Sequence, residues 1–456
     1  MERGRDLRDD LETLHGYDAS IAPHVRRMRY RAITYRLHES LLFIPVLLLA
    51  ASLIIEETLA ALDRRIDQPP FGLNMPPDGA IALLSTIAGA TITTAGVVFS
   101  LLVVSLQLAS GQFSPRVLRT FWRDRFGQVL IGLLLATFTF CVTALTQIKT
   151  TADRAPTLTL SGAVSLTIAS IVAIVAYLNR ISRQQYVGRI MERIADETLN
   201  LVRELPYGPH VGMRVGQPVP PPDLTTLGAP LVVRSPVNGW VQQISRRAVV
   251  AAVPPGSVVR LETRVGAFVT AHTPMATIWP APNETVPTRT AHTIVNAFVV
   301  GATRTMQQDI DFGLRQLNDI ALRALSPAVN DPTTAIEVIL RVGTVMRPLL
   351  MADLPAQSTR CRGDRHLITV WELEHVEYLA HAFQQIRLYA APHPQVVMAL
   401  GRTLRMLRVA CAGRGDRQAV LHALEHELDA ALAAAEKAGV TKEELAAIEA
   451  AARSPG

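Results

Sequence analysis

The sequence has little of what marks a disordered or a disulfide-stapled protein. Only 18% of its 456 residues are charged and 5% are aromatic, whereas 49% are hydrophobic. So high an apolar content with so little charge excludes a disordered chain. The three cysteines lie far apart, at positions 141, 361 and 411. This spacing excludes the disulfide framework of a small secreted domain.

Lysine is almost absent and occurs only at positions 149, 437 and 442, so arginine carries nearly all of the positive charge. The net charge is +6. A nucleic-acid-binding protein would gather its basic residues on one surface with aromatic residues among them. An Ala- and Arg-rich composition is also what a GC-rich bacterial genome encodes, and we expect no nucleic-acid partner.

Long apolar runs are what the sequence does contain. Each of four runs has about 20 residues or more, enough to cross a hydrocarbon layer ~30 Å thick as a helix. They cover residues 41–61, 80–109, 127–147 and 158–178. Glu56 and Glu57 interrupt the first run, and no apolar stretch of signal-peptide form precedes it. The sequence predicts a membrane protein with four transmembrane helices.

Basic residues flank these runs unequally. One side carries Arg26, Arg27, Arg29, Arg31, Arg36, Arg116, Arg119, Arg123, Arg125, Arg180, Arg183, Arg189 and Arg193. The other side carries Arg64, Arg65, Lys149 and Arg154. Because cytoplasmic loops are enriched in Lys and Arg, both termini are predicted to lie in the cytoplasm.

Composition divides the chain into five predicted regions. They are a cytoplasmic N-terminal segment (1–40), a transmembrane domain (41–178), a helical and Pro-rich linker (179–225), a small β module (226–290) and a helical cytoplasmic domain (291–456). The expected fold class is therefore membrane α-helical with a cytoplasmic α+β part.

The β module is predicted from short apolar runs, Val249–Val253 among them, separated by Gly and Pro turns. The stretches 234–239 and 265–275 resemble the barrel-sandwich shape of biotinyl and lipoyl carrier domains and of membrane-fusion adaptors. The module contains no lysine, so covalent attachment of biotin or lipoate is excluded. We interpret it as a structural or docking module.

Helices are predicted after residue 292. Asp311, Arg315, Asp319 and Arg323 follow one another at i+4 along one of them, beside an apolar face. Such pairs stabilise an isolated helix by only ~0.2–0.5 kcal/mol each, so they indicate a solvated face, with a charged subunit contact as the alternative. After Ser326 and Pro327 end this helix, Asp331 is placed to cap the next one.

The chain resembles a bacterial family of predicted integral membrane proteins of unknown function. The resemblance extends over about residues 30–430 and rests on residues 97–116 of the second run and on 301–335, with the motif A-L-S-P-x-x-N-D-P. Within the latter stretch the motif residues are Arg304, Asp309, Asp311, Asp319, Arg323, Ser326, Pro327, Asn330, Asp331 and Pro332. The resemblance implies four spans and a location in the bacterial cytoplasmic membrane, but no activity.

The second run carries small and polar residues at a spacing of seven, which places them on one helix face. The members of this polar stripe are Thr86, Gly89, Thr93, Gly96, Ser100 and Gln107. Twenty-one residues of helix rise about 31 Å, the depth of a membrane. The stripe indicates either close helix packing or a water-lined path at the axis of a homo-oligomer, where hydroxyl oxygens contact a partly hydrated ion.

The outward loops are expected to carry more acids than bases, an excess that attracts cations. The acids are Glu56, Glu57, Asp63, Asp67, Asp78 and Asp153. Glu56 and Glu57 are the strongest candidates, because an ionisable group within a span is a functional candidate by default. The alternative is an ordinary solvated loop.

Signals of catalysis are weak. His422, Glu425 and His426 match the H-x-x-E-H zinc pattern, and Glu374, His375, Glu377 and His381 form another loose group. We interpret both as chance and expect no enzyme activity, metal or cofactor. Two functional classes remain: an oligomeric ion channel or transport conduit regulated by its cytoplasmic domain, and a membrane-anchored scaffold or sensor. The expected partners are the lipid bilayer, further copies of the chain and an unidentified cytoplasmic protein.

Overall fold

The computed structural model describes residues 43–65, 73–112, 125–148, 154–184, 187–205 and 217–453. The chain divides into two compact units, one within residues 34–189 and the other within residues 190–456. The predicted N-terminal segment 1–40 lies outside the described residues.

The first unit contains four helices that are long and apolar enough to cross a membrane. They are α1 (Phe43–Asp63), α2 (Pro77–Gln112), α3 (Arg125–Gln147) and α4 (Thr157–Gln184). A helix satisfies every interior backbone group without help from its surroundings, which suits these sequences to lipid. The prediction of four apolar helices is confirmed, and Glu56 and Glu57 do not break the first.

Helix α3 is the centre of this unit. It packs against α1, α2 and α4, and it buries a larger share of its apolar segment than any of the other three. Leu130, Leu134 and Phe140 of α3 have no solvent exposure. The Thr137 hydroxyl lies 3.0 Å from the Ser170 hydroxyl of α4, a contact worth about 0.6 kcal/mol. The outer faces of the remaining helices are left exposed.

The second unit combines helices with two small sheets. Its helices are α5 (Val187–Glu204, of which the first three residues belong to the other unit), α6 (Arg246–Ala252), α7 (Thr288–Asn296), α8 (Ile310–Ala324), α9 (Pro332–Met351), α10 (His375–Ala390), α11 (Pro394–Cys411), α12 (Gln418–Lys437) and α13 (Lys442–Arg453). Helix α9 packs against both α8 and α11, and its buried face includes Val338, Val342 and Val345. The predicted fold class, membrane helices combined with an α+β region, is confirmed.

The strands are β1 (Gln217–Pro218), β2 (Leu231–Arg234), β3 (Gly239–Ile244), β4 (Val258–Leu261), β5 (Phe268–Val269), β6 (Pro274–Trp279), β7 (Phe298–Gly301), β8 (Ser358–Cys361) and β9 (Arg365–Ile368). One sheet has the order β1-β8-β9-β4-β6-β2 and the other β5-β3-β7. All described pairings are antiparallel except β4 with β9. The described strands form two open sheets rather than a closed barrel.

Two local predictions were wrong. Residues 249–253 do not form a strand, because Ser245 caps a short helix there by accepting a hydrogen bond from the Ala248 amide. The region after residue 292 is not wholly helical either. Strand β7 pairs with β3, and β9 pairs with β4, because these distant partners complete the two sheets.

Candidate functional site

The polar stripe lies on the outer face of α2. Its members Thr86, Gly89, Thr93, Gly96, Ser100 and Gln107 are all exposed. The opposite face of the same helix is buried and includes Leu84, Ala95 and Val98. Among the described residues, the helices of the same chain therefore pack against this buried face of α2 and leave the stripe uncovered, together with apolar residues such as Val97 and Phe99.

The stripe hydroxyls are hydrogen-bonded within their own helix. Thr86 donates to the Ala82 carbonyl at 2.7 Å and Thr93 to the Gly89 carbonyl at 2.7 Å. Ser100 donates to the Gly96 carbonyl at 2.9 Å. Each hydroxyl hydrogen is thus committed, and each oxygen keeps lone pairs that can only accept. Such oxygens suit a cation or a water molecule.

The glycines of the stripe leave open space beside the helix. A Cβ atom added at Gly89 or Gly96 would meet no atom of the described chain within 4 Å. Packing of α2 within the chain therefore does not require glycine at either position. A close approach by another molecule would make use of the missing side chains.

The outer acids are engaged in contacts at the ends of the spans. The Gln147 amide donates to Glu56 at 2.9 Å, and Arg64 donates to Glu57 at 2.9 Å. Asp63 accepts from the backbone amides of Leu158 and Thr159, both at 2.9 Å, and so caps the start of α4. These contacts give the three acids structural partners and weaken the interpretation of them as a cation-attracting surface. Asp78 lies in the first turn of α2, and Asp67 and Asp153 lie outside the described residues.

In the second unit, the motif acids form a buried ionic cluster. Arg304 makes a bidentate contact with Asp309, at 2.5 and 2.9 Å, and also donates to Asp311 at 2.7 Å. Asp311 accepts a further bond from Arg315 at 2.9 Å, and its other oxygen lies 2.8 Å from His381 Nδ1. Its side chain is only 1% exposed. The expectation of a solvated face is therefore wrong at Asp311.

The electrostatics of this cluster favour a charged carboxylate. Burial acts to raise the pKa of Asp311, but the hydrogen bonds from His381, Arg304 and Arg315 outweigh it and hold that pKa well below its usual value. The pKa of Arg304 is raised, because its contacts with Asp309 and Asp311 outweigh the effect of burial. Both partners therefore remain ionised across the physiological range.

Two close approaches hold the cluster in place. Gly266 has a φ of +82°, and a side chain there would collide with Arg304 and Asp309, so only glycine fits. Gly313 of α8 lies directly against the Thr198 side chain of α5. Helix α4 ends at Gln184 and α5 begins at Val187, so the helix that follows the fourth span in the chain packs on the motif helix.

The remainder of the motif forms the turn between α8 and α9. The Ser326 hydroxyl donates to the Arg323 carbonyl at 2.7 Å, and Asn330 takes a left-handed φ of +48°. Asp331 then caps α9 by accepting from the Thr334 amide at 3.1 Å, with Pro332 as its first residue. The predicted cap is confirmed. These motif residues, Pro327 included, build a tight helix–turn–helix.

The other two charged residues of the ladder lie farther from the start of α8. Asp319 is half-buried and Arg323 is exposed, farther along α8, and both have interaction partners. Asp311 and Arg315 of the four-residue ladder take part in the network around Arg304.

Two neighbours of the ionic cluster, His381 and Trp240, were not predicted from the sequence. His381 was noted only in a loose group of possible metal ligands, whereas it contacts Asp311 from α10, 70 positions away. Trp240, on β3, places its ring 5.9 Å from the Arg304 guanidinium and was not anticipated. No spacing in the chain links these positions, because the sheet and α10 bring them together.

The two loose histidine groups have ordinary surroundings. Glu374 and Glu377 form a capping box at the start of α10. His375 lies 3.0 Å from the Ala352 carbonyl. His422, Glu425 and His426 are exposed on α12. Within the described part of the chain, no three or more His, Cys, Asp or Glu residues are grouped as a metal site would require.

Comparison with known proteins agrees with this architecture. Residues 38–406 match the family model described as predicted membrane protein (DUF2254). Uncharacterized proteins of Mycobacterium bovis and of two strains of Mycobacterium tuberculosis are each 34% identical to the chain over 355 residues. The alignment covers 75% of this chain and 66% of each relative, so the chain spans just under two thirds of their length. No solved structure matches. The four apolar helices and the match over most of the chain show that this protein belongs to the DUF2254 family of predicted membrane proteins.

Proposed function

We propose that the protein is an oligomeric ion channel or transport conduit of the bacterial cytoplasmic membrane, with both termini inside the cell. The observation that carries this proposal is the uncovered polar stripe of α2. In an assembly of several copies, these stripes would face a common axis and line a path with acceptor oxygens. Because the hydroxyl hydrogens already bond to carbonyls of the same helix, the stripe offers only acceptor oxygens, and these favour a cation over an anion.

Regulation by the cytoplasmic part belongs to the same proposal. It is supported by the packing of α5 on the motif helix at Thr198 and Gly313, since α5 directly continues the chain from the fourth span. The buried cluster around Asp311 makes α8 and α10 a rigid support for this contact. A change in the cytoplasmic unit would thereby reach the span through α5.

A membrane-anchored scaffold or sensor is the second candidate, and one observation favours it. Hydroxyls that are satisfied inside their own helix can face lipid at little cost. A stripe of this kind therefore does not by itself demand an aqueous path.

Ion flux in liposomes separates the two candidates. The purified full chain is reconstituted and tested for K⁺ flux under an ion gradient, an applied voltage and membrane tension. Replacing two stripe residues in T93L/S100L should abolish flux by removing oxygens from the path. The control T94L changes the neighbouring threonine, whose hydroxyl is also bonded within the helix but which lies about 100° around the helix from Thr93, and it should conduct like the original chain. Absence of flux in the unchanged protein under all three conditions would refute the conduit.

A further inference from the structure

Glu56 is a buried carboxyl group in the apolar helix α1. Its side chain is only 3% exposed, and it shares a buried face with Ser52 and Ala60 at a spacing of four residues. Helix α1 packs against α3, whose Gln147 amide donates to one carboxyl oxygen of Glu56 at 2.9 Å. Contacts within the chain therefore already exclude water from this carboxyl group.

The charges nearest to Glu56 along α1 do not neutralise it. They are Glu57, Asp63 and Arg64. Arg64 binds Glu57, at 2.9 Å, rather than Glu56, and Asp63 caps the start of α4. Among the described residues, no cation therefore forms an ion pair with Glu56.

The helices that pack against α1 bring no charge to Glu56 either. Helix α3 has no charged residue after Arg125, which begins it at the opposite end from Gln147. Its Cys141 thiol lies in the apolar core with α2 and α4. Helix α4 has Tyr177 as its first ionisable residue. Tyr177 is about 30 Å from the capped end of α4, whereas Glu56 is about 10 Å from the same end of α1.

The hydrogen bonds around Glu56 indicate where a proton resides. The Thr143 hydroxyl of α3 is a hydrogen-bond partner of the Glu56 side chain. This hydroxyl has a single hydrogen and lies 2.9 Å from the Thr139 carbonyl and 3.0 Å from the Phe140 carbonyl of its own helix. Because the hydrogen is directed to these carbonyls, the Thr143 oxygen is left to accept. The hydrogen between Thr143 and Glu56 then comes from a protonated carboxyl group.

An ionised carboxylate that is removed from water without a paired cation is strongly unfavourable, and such a group takes up a proton instead. We propose that Glu56 is a proton-binding site of the first unit, occupied at neutral pH, and that the bound proton holds α1 on α3. On release, the O–H bond of Glu56 breaks, the proton passes to a water molecule and a carboxylate remains. The exposed Glu57 beside it brings solvent within one residue of the site. This proposal does not rest on the conduit proposal.

Infrared difference spectroscopy of the full chain in liposomes tests the site, because a protonated carboxyl group has a carbonyl band that a carboxylate lacks. Spectra recorded at rising pH should show such a band at neutral pH and its loss in alkali. E56Q should lack the band. E57Q is the matched control, since Glu57 is the next residue but is exposed and paired with Arg64, and it should keep the band at neutral pH.

Thr143 provides a second test that leaves the carboxyl group in place. T143V keeps nearly the same shape but removes the acceptor of the Glu56 proton. The pH at which half of the band is lost should therefore fall by about 0.5–1 unit, the effect of one hydrogen bond. T146V is the control, because Thr146 is exposed on the same helix and its hydroxyl donates to the Thr143 carbonyl. Its midpoint should equal that of the original chain.

Three results would overturn the proposal. They are carbonyl bands at neutral pH that are the same in E56Q and the original chain, loss of the band in E57Q rather than in E56Q, and a midpoint that T143V shifts no more than T146V does. T143V remains informative if E56Q fails to fold. Because the spectra are recorded without flux, failure of the proton site is distinguishable from failure of the conduit.

Discussion

At the scale of single residues, Asp311 is the most constrained charge in the described chain. It is nearly fully buried and contacts Arg304, Arg315 and His381. A buried ionic network adds little compared with well-packed apolar residues, but removing one member leaves uncompensated charges and costs about 3–5 kcal/mol. The network therefore fixes how α8 and α10 fit together more than it adds to stability.

The stability of the second unit should depend on the ionisation of Asp311. Its pKa is lower in the folded chain than its unfolded value of about 3.9. The stabilisation is therefore complete above the unfolded value and is lost as the pH falls below it towards the folded pKa. D311N should lower the free energy of unfolding by about 3–5 kcal/mol at pH 7. The difference in the free energy of unfolding between D311N and the original chain should become smaller below about pH 4.

Denaturant unfolding of the full chain in detergent, followed by tryptophan fluorescence, measures this difference. E337Q is the control, because Glu337 forms only an exposed i+4 contact of 3.6 Å with Arg341. Its effect should stay within ~0.5 kcal/mol at any pH. The prediction would be contradicted if D311N lowered the free energy of unfolding as little as E337Q does, or if its effect became larger in acid.

At the scale of elements, the connection between α8 and α9 has the structure that its local sequence predicts. Its turn uses the left-handed Asn330, the cap Asp331 and Pro332 at the first helical position. All three choices are local, and the sequence predicted the cap and the proline without knowledge of their surroundings. Helix α9 starts here and packs between α8 and α11, so the turn sets the direction of a core helix.

Removing the cap should destabilise the unit by a moderate amount. D331A deletes the acceptor for the Thr334 amide at 3.1 Å and should cost about 0.5–2 kcal/mol, while D331N keeps a capping side chain and should cost much less. Thermal unfolding of the full chain, compared among the three proteins, measures the difference. Equal losses for D331A and D331N would show that the charge, rather than the cap, matters.

The two elements that were predicted wrongly share a cause. The valines around position 249 have strand propensity, yet the Ser245 cap and the packing of Ala248 and Val249 into the core hold them in a helix. Strand β9 has a weak local signal and exists because β4 lies beside it. In both cases contacts outweighed the propensity of the individual residues: a local cap and core packing did so at Val249, and pairing with β8 and β4 did so at β9.

At the scale of the whole molecule, no helix of the described chain packs against the stripe on the outer face of α2. Gly89 and Gly96 leave room there for another helix, while the packing of the four spans proceeds on the opposite face. Small residues allow helix backbones to approach closely in lipid. This arrangement supports association of several copies through α2.

Filling that space should break such an assembly without unfolding the protomer. G89L/G96L is expected to shift the detergent-solubilised protein to a smaller species, because a Cβ atom at either position meets no atom of the described chain within 4 Å, whereas the added side chains would block a partner. Light scattering after size exclusion gives the mass. A169L, at an exposed position of α4 rather than on the stripe of α2, should keep the original mass. A monomeric original protein, or an unchanged mass in G89L/G96L, would count against association through this face.

The sequence alone determined the features that depend on neighbours along the chain. Run length predicted four spans, spacing of seven predicted one polar face on α2, and residue type predicted the cap at Asp331. Only the tertiary structure decided which face of α2 is left uncovered and that Asp311 is buried against His381. These depend on contacts between residues far apart in the chain, and such contacts leave no periodic signal because packing and desolvation, rather than local preference, set their energies.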